Sequence, residues 1–253
     1  MLGSGMARGA KARGKRIAFG DGKRIIWGPW SKDIFRGNPN VASPGDERAG
    51  DIEWIDYYKG KRGYNHHDVA GKRWIWNYDF RAKQGEFFFT EAEEKVADLL
   101  APADDFVVIE PHVPAKSVAP NKDWGFEKFQ AVVDALTNNG QLVVQFDYGR
   151  QILRGARRVK TKSFREAAAV LSRASAAVLP EGGMHHAAAA VDVPAVVIFG
   201  GFIPPMVTGY GTHANLTGGA DACGSLFPCD HCRKALDAIT VEEVIEAVAE
   251  LPS

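Results

Sequence analysis

The chain has 253 residues, 45% of them apolar and 25% charged, with 31 basic and 31 acidic side chains and a formal net charge of zero. That length holds one large domain or two small ones, and the composition is that of an ordinary globular protein. The charge balance removes the electrostatic case for a nucleic-acid or anionic-membrane partner, and no apolar run is long enough to span a bilayer.

In chain order, residues 1–15 read as a tag ahead of Met6 followed by a disordered basic tail. No apolar stretch of signal-peptide type follows the basic run from Arg8 to Arg16. Arg16 to Phe19 predicts a short strand, ended by Gly20-Asp21-Gly22, with a second apolar run at Arg24 to Trp27. Ser31 is placed to cap a helix through Phe35. Ile52 to Tyr58 fits strand or helix, and Arg73 to Tyr78 is a strand with aromatic alternation. Thr90 and Glu93 have capping-box spacing at the start of a helix ending near Leu100. A boundary is expected at Ala101 to Asp105. It divides an aromatic-rich, reduced N-terminal α/β unit (16–104) from a regular C-terminal one (105–253).

From Phe106 onward short apolar runs alternate with helical patterns. The runs are Phe106–Ile109, Leu142–Phe146, Arg158–Lys160, Ala176–Leu179 and Ala195–Phe199. The helices are Phe126–Leu136, Phe164–Ser172 and Val241–Leu251, the last two capped by Ser163 and Thr240. This alternation predicts a parallel sheet covered on both faces. Its centre is Leu179-Pro180-Glu181-Gly182-Gly183-Met184-His185-His186 followed by four alanines. Glu181 falls at the carboxyl end of a strand, where open α/β sheets bind ligands. Gly182, Gly183 and Met184 fall at a helix N-terminus, whose N–H groups suit an anion. A glycine turn that merely joins strand to helix has the same pattern.

Three cysteines do not make a disulfide framework and fit a reducing, cytoplasmic setting. Their C-x5-C-x2-C spacing, Cys223, Cys229 and Cys232, leaves a metal site open as an alternative to free thiols. His231 sits awkwardly inside the last pair, with His213 a distant alternative.

Residues 105–250 resemble glycosyltransferase family 9, the heptosyltransferases, whose donor-site signature is an acidic residue, a hydroxyl residue, Gly, two variable residues, His, a small-residue helix and Pro. Glu181-Gly182-Gly183-Met184-His185-His186, the alanine run and Pro194 follow that order, with Glu for Asp and Gly for Ser or Thr. Lys122-Asp123-Trp124 is similar to the family's lysine before an aromatic, and Phe19-Gly20-Asp21 to its opening strand and Gly-Asp. The resemblance implies a GT-B-like fold of two Rossmann-like domains with parallel sheets, the first reduced and divergent. It implies a glycosyltransferase that moves a sugar from a nucleotide-diphosphate donor to a glycan or other hydroxyl acceptor with inversion, requiring no cofactor. A non-catalytic nucleotide- or sugar-binding homologue and a nucleotide-sugar epimerase are the alternatives. On this reading Lys122 contacts phosphate and Glu181 accepts from sugar or ribose hydroxyls. Gly182, Gly183, Met184 and His186 complete the donor site, and Asp21 is the catalytic base, with Glu110 as a weaker second.

Overall fold

The computed structural model describes residues 1–56, 61–113 and 118–252; Tyr57 and Tyr58 of the expected Ile52–Tyr58 element lie outside them. The chain opens with helix α1 (Leu2–Lys11), strand β1 (Arg16–Gly20), helix α2 (Pro29–Phe35) and strand β2 (Ile52–Asp56). The tail expected to be disordered is therefore helical as far as Lys11. Ser4, Gly5, Ala7 and Ala10 are buried, and Ala7 and Ala10 pack with Ile17, Phe19 and Phe35. A Cβ at Gly5 would lie 2.0 Å from the carbonyl oxygen of Lys83, so the small residues permit a close approach that composition alone does not reveal. Ser31 lies inside α2 rather than capping it; Gly28 is the N-cap and Pro29 opens the helix. The Arg24–Trp27 run contributes only an antiparallel bridge between Ile25 and Gly20.

Strands β3 (Lys61–Arg62), β4 (Asn65–Asp68) and β5 (Arg73–Trp76) form an antiparallel sheet, where parallel pairing was expected. In this half, among the described residues, parallel pairing is confined to β1 with β2 and a single bridge between Ile17 and Val41. The β5 edge is tied to the C-terminal half. Trp74 N–H donates to Gly224 O at 2.8 Å, and the Trp76 ring meets Phe202 edge-on at 5.8 Å. Trp76 thus joins the main core, with Trp74 packed against it.

Helix α3 (Glu91–Leu100) carries the expected capping box: Glu93 N–H donates to Thr90 Oγ1 and Thr90 N–H to Glu93 Oε2. Next come β6 (Phe106–Ile109), a 3₁₀ turn at Ala119–Asn121, α4 (Phe126–Asn138), β7 (Leu142–Asp147), β8 (Arg157–Lys160) and α5 (Phe164–Leu171). The remainder is β9 (Ala176–Pro180), α6 (Gly183–Ala190), β10 (Ala195–Ile198), α7 (Pro205–Thr208), β11 (His213–Leu216), α8 (Asp230–Ala238) and α9 (Val241–Ala249). Strands β6 to β11 form one parallel sheet in the order β11-β10-β9-β6-β7-β8. Numbered from β6, this is the 3-2-1-4-5-6 order of dinucleotide-binding sheets.

Strand periodicity divides the core. Val108, Val144, Phe146, Ala177, Leu179 and Val197 face one layer, with Ala167, Ala168 and Leu171 of α5 and Ala187 and Ala188 of α6. Val107, Ile109, Val143, Val178, Val196 and Ile198 face the other, with Phe129, Val132 and Val133 of α4 and Val244 of α9. Successive side chains of a strand point to opposite faces, so runs apolar at every position are needed when both faces are covered. The chain winds one way from β6 to β8 and the other way from β9 to β11. The carboxyl ends of β6 and β9, adjacent in the sheet, mark the switch.

Candidate functional site

Glu110 follows β6 and Glu181 follows β9, so the switch point brings together two acidic residues 71 positions apart in the sequence. Ligands of doubly wound sheets bind in the crevice outside such strand ends. A cavity of about 690 Å³ lies here, its walls including Glu110, Arg150, Lys162, Glu181, Gly182, Gly183, Met184 and His186. Trp30, 70% exposed, and Ile34 contribute a rim from α2. The volume falls within the range of small-molecule sites.

Glu181 is 5% exposed and forms an ion pair with Lys122. Burial pushes its carboxyl up, but the Lys122 ammonium, by charge and hydrogen bond, together with His185 holds the group below its ordinary value. The ammonium also stands 5.2 Å from the centre of the Phe202 ring. Lys122 owes its position to the preceding 3₁₀ turn. Asn121 Nδ2 donates to Ser225 O at 3.1 Å and Phe227 O at 2.8 Å, and its Oδ1 accepts from Cys229 N–H at 3.1 Å. Trp124, buried, donates through Nε1 to Ile239 O at 3.0 Å. The sequence marked Lys122 and Trp124 but gave no sign of Asn121 as their anchor.

The glycine turn is held by the histidines. His185 is fully buried; its Nδ1 accepts from Gly182 N–H at 3.0 Å and its Nε2 donates to Thr208 O at 3.1 Å. Those two bonds fix the neutral Nε2–H tautomer, and burial lowers its pKa. His186 Nδ1 pairs with Tyr210 Oη at 2.8 Å, and burial holds it well below the ordinary imidazole value. One expectation is thereby corrected: the Gly182 N–H is engaged by His185 and is not offered to a ligand. Gly183 and Met184 remain in the first turn of α6, where N–H groups have no intrahelical acceptor. Tyr210, Arg150 and Lys162 were not singled out in the sequence, because nothing in their local pattern distinguishes them from loop residues.

Glu181, His185 and His186 also place ligand atoms within 4.8 Å of one another. Each of these groups already has a protein partner, and the Lys122 ammonium opposes a cation there.

Asp21 is not brought to this cavity. Its carboxylate accepts from Lys23 N–H at 3.0 Å and Arg24 N–H at 2.7 Å and pairs with the Arg24 guanidinium. These bonds, the Arg24 backbone bond first, draw its pKa down to about 2. This is an Asx turn closing the end of β1, and it leaves a weak base.

Glu110 has the opposite character. Burial pushes its pKa up to about 8, against the pull of the Phe146 N–H bond at 2.7 Å and of Arg150. Its folded-state pKa lies above the unfolded one, so its contribution to stability is complete below about 4.5 and lost as pH rises to about 8. At roughly 1.4 kcal/mol per pKa unit, the loss is on the order of 5 kcal/mol. Glu110→Gln keeps the acceptor for Phe146 and removes the charge. We expect its denaturant midpoint to stay level between pH 5 and 8.5 where that of the parent falls; parallel curves for the two proteins would show that Glu110 does not titrate there.

Residues 65–238 match the model of glycosyltransferase family 9 (heptosyltransferase). The match begins well before residue 105, where the recognisable motifs begin, and so takes in β4 and β5. No curated protein matches the sequence. Among solved structures, the chain is similar to a family 9 glycosyl transferase from Veillonella parvula, with 16% identity, 96% of this chain and 76% of that one covered, and a TM-score of 0.52. It is likewise similar to TibC from enterotoxigenic E. coli, described as an iron-containing dodecameric glycosyltransferase, with 16% identity, 93% and 76% covered, and a TM-score of 0.52. E. coli ADP-heptose LPS heptosyltransferase II matches with 18% identity over 69% of this chain, at a TM-score of 0.47. The chain spans 53% of that protein, about half its length.

Proposed function

The chain belongs to glycosyltransferase family 9 and has a GT-B-like α/β fold, and from that premise we propose that it is a glycosyltransferase using a nucleotide-diphosphate sugar. The observation that carries the proposal is the switch-point cavity. The α6 N-terminus, Glu181 and the exposed Trp30 ring line a space of small-molecule size, and Lys122 is joined to that wall through its ion pair with Glu181. In this reading residues 105–253 form the donor-binding unit. Gly183 and Met184 N–H groups and the Lys122 ammonium take the diphosphate, whose negative charge grows as the sugar leaves. Glu181 accepts from a sugar or ribose hydroxyl, and His185 and His186 act as neutral supports of the turn. The acceptor is a hydroxyl compound attacking the anomeric carbon with inversion. Among the described residues, no helix is long and apolar enough to cross a membrane.

One observation favours a second reading, a module that binds a nucleotide sugar without transferring it: the carboxylate proposed as base, Asp21, is engaged in a turn away from the cavity.

Thermal unfolding with a series of nucleoside diphosphates tests the site. At a hundredfold excess over Kd, binding to the native state contributes about 2.7 kcal/mol. We expect one base to raise the melting temperature clearly; no shift with any nucleoside diphosphate would sink both readings. Incubation with the matching sugar nucleotide then separates them, since slow release of free sugar marks a transferase and an unchanged donor marks the module.

A further inference from the structure

We propose that Cys223, Cys229 and Cys232 together bind one thiophilic metal ion, zinc or iron(II), as three thiolate ligands of a tetrahedral centre. All three cysteines are free. Cys223 Sγ lies 3.3 Å from Cys232 Sγ and 3.8 Å from Cys229 Sγ, and the three sulfurs lie within 4.8 Å of one another. A zinc–sulfur bond of about 2.3 Å in tetrahedral geometry sets sulfur–sulfur edges of about 3.8 Å. A disulfide holds its sulfurs at about 2.05 Å, so the cysteines are not cross-linked, and their separations bracket the range that a shared ion would draw to the tetrahedral edge.

The local fold builds this arrangement. Cys229 is the N-cap of α8 and Cys232 lies in its first turn, so both face the helix end where the backbone field favours thiolates. Cys223 arrives from the segment after β11, its N–H held by Gly201 O at 2.9 Å. Gly224 follows with φ +67°, and a Cβ there would stand 2.2 Å from Trp74 O. The residue can therefore only be glycine while β5 lies alongside. Ser225 N–H points at Cys223 Sγ, 3.5 Å away, in the manner of an outer-shell donor to a metal thiolate. His231 is not the fourth ligand, because neither of its ring nitrogens comes within 4.8 Å of all three sulfurs; its Nε2 pairs with Asp221 O at 2.7 Å. Solvent therefore takes the fourth position. Binding releases the thiol protons to water.

The centre is positioned to brace the donor-side loop, because Cys229 N–H is one of the bonds that fix Asn121, the residue before Lys122. The metal proposal does not rest on the nucleotide reading, and its test contains no nucleotide.

Elemental analysis of the purified full chain, from cells grown with both zinc and iron, is expected to find one of the two ions per chain. Cys223→Ser, Cys229→Ser and Cys232→Ser are each expected to cut that content severalfold. Because an unfolded variant would also lose metal, chelator-stripped wild-type protein is loaded with cobalt(II) as well. The expected result is a thiolate-to-cobalt charge-transfer band together with the intense visible bands of tetrahedral coordination. Metal content that survives all three substitutions, or a chain without metal that develops no such cobalt bands, overturns the proposal. Thiol titration of the unfolded chain then tells free cysteines from a disulfide.

Discussion

Replacing Arg165 with methionine is expected to destabilise the chain by roughly 3–5 kcal/mol, the cost of stranding a buried partner charge. For a chain of this size that is a fall of about 6–20 °C in melting temperature. Arg165 is 1% exposed and ties three segments that are distant in sequence. Its Nε and Nη2 take both oxygens of Glu93 at 2.6 and 2.9 Å, Nη2 donates to Phe88 O at 2.6 Å, and Nη1 donates to Asp33 O at 2.9 Å. A bidentate arginine–carboxylate pair is among the stronger side-chain interactions, and methionine fills the space while leaving every acceptor bare. Arg165 first, with the Thr90 N–H, draws the Glu93 pKa down to about 2. A depressed folded-state pKa gives stability that is present above about 4.5 and lost as pH falls toward 2. Chemical denaturation at pH 7 and pH 3 should therefore show the variant's deficit shrinking in acid. Arg165→Met/Glu93→Gln should recover part of the loss. A variant within 1 kcal/mol of wild type at pH 7 would mean that water replaces the guanidinium, against the observed burial.

That residue also shows where the sequence was silent. Arg165 stands two positions after Ser163, which does accept from Glu166 N–H at 3.1 Å, and from the sequence it reads as an ordinary exposed helix arginine. Its role depends on Glu93 and on α2, which periodicity cannot bring together. Where the information was local, it was legible. The apolar runs of β6, β7, β9 and β10, the capping residues Thr90, Ser163 and Thr240, and the glycine turn after Leu179 are all as expected. In addition, Gly182 and His185 have the spacing of a capping box with histidine as the returning side chain, so the loss of the Gly182 N–H as a ligand donor was readable in hindsight. The N-terminal third was read poorly for a physical reason. Helix α1 contains Gly3, Gly5 and Gly9, poor helix formers on their own, and its order comes from packing on β1 and the Lys83 backbone. Strands β3 and β4 are short and polar, and their structure is set by the sheet they enter.

The Lys122–Glu181 pair supports the second large expectation, in which stability and affinity separate. Lys122→Met removes the ammonium that offsets the burial of Glu181, and breaking a buried pair from one side costs roughly 3–5 kcal/mol. The sign of the pH dependence should also reverse. In the wild type the Glu181 pKa is held down, so its contribution is lost as pH falls; without Lys122 burial dominates, the pKa rises, and stability is lost as pH increases. Glu181→Gln should cost less, because the Lys122 side chain is 20% exposed and reaches solvent. If Lys122 holds phosphate, Lys122→Met weakens nucleoside diphosphate binding by about 10- to 100-fold, the value of a charged hydrogen bond. The double variant Lys122→Met/Glu181→Gln then regains stability but not affinity. Glu181→Gln, relieved of a competing carboxylate, binds inorganic pyrophosphate at least as well as wild type while losing affinity for the full sugar nucleotide. Calorimetric titrations of the four proteins with pyrophosphate and with the sugar nucleotide decide the matter. Wild-type affinity in the double variant would remove Lys122 from the phosphate site and leave the pair a purely structural bond between the β6–α4 segment and the end of β9.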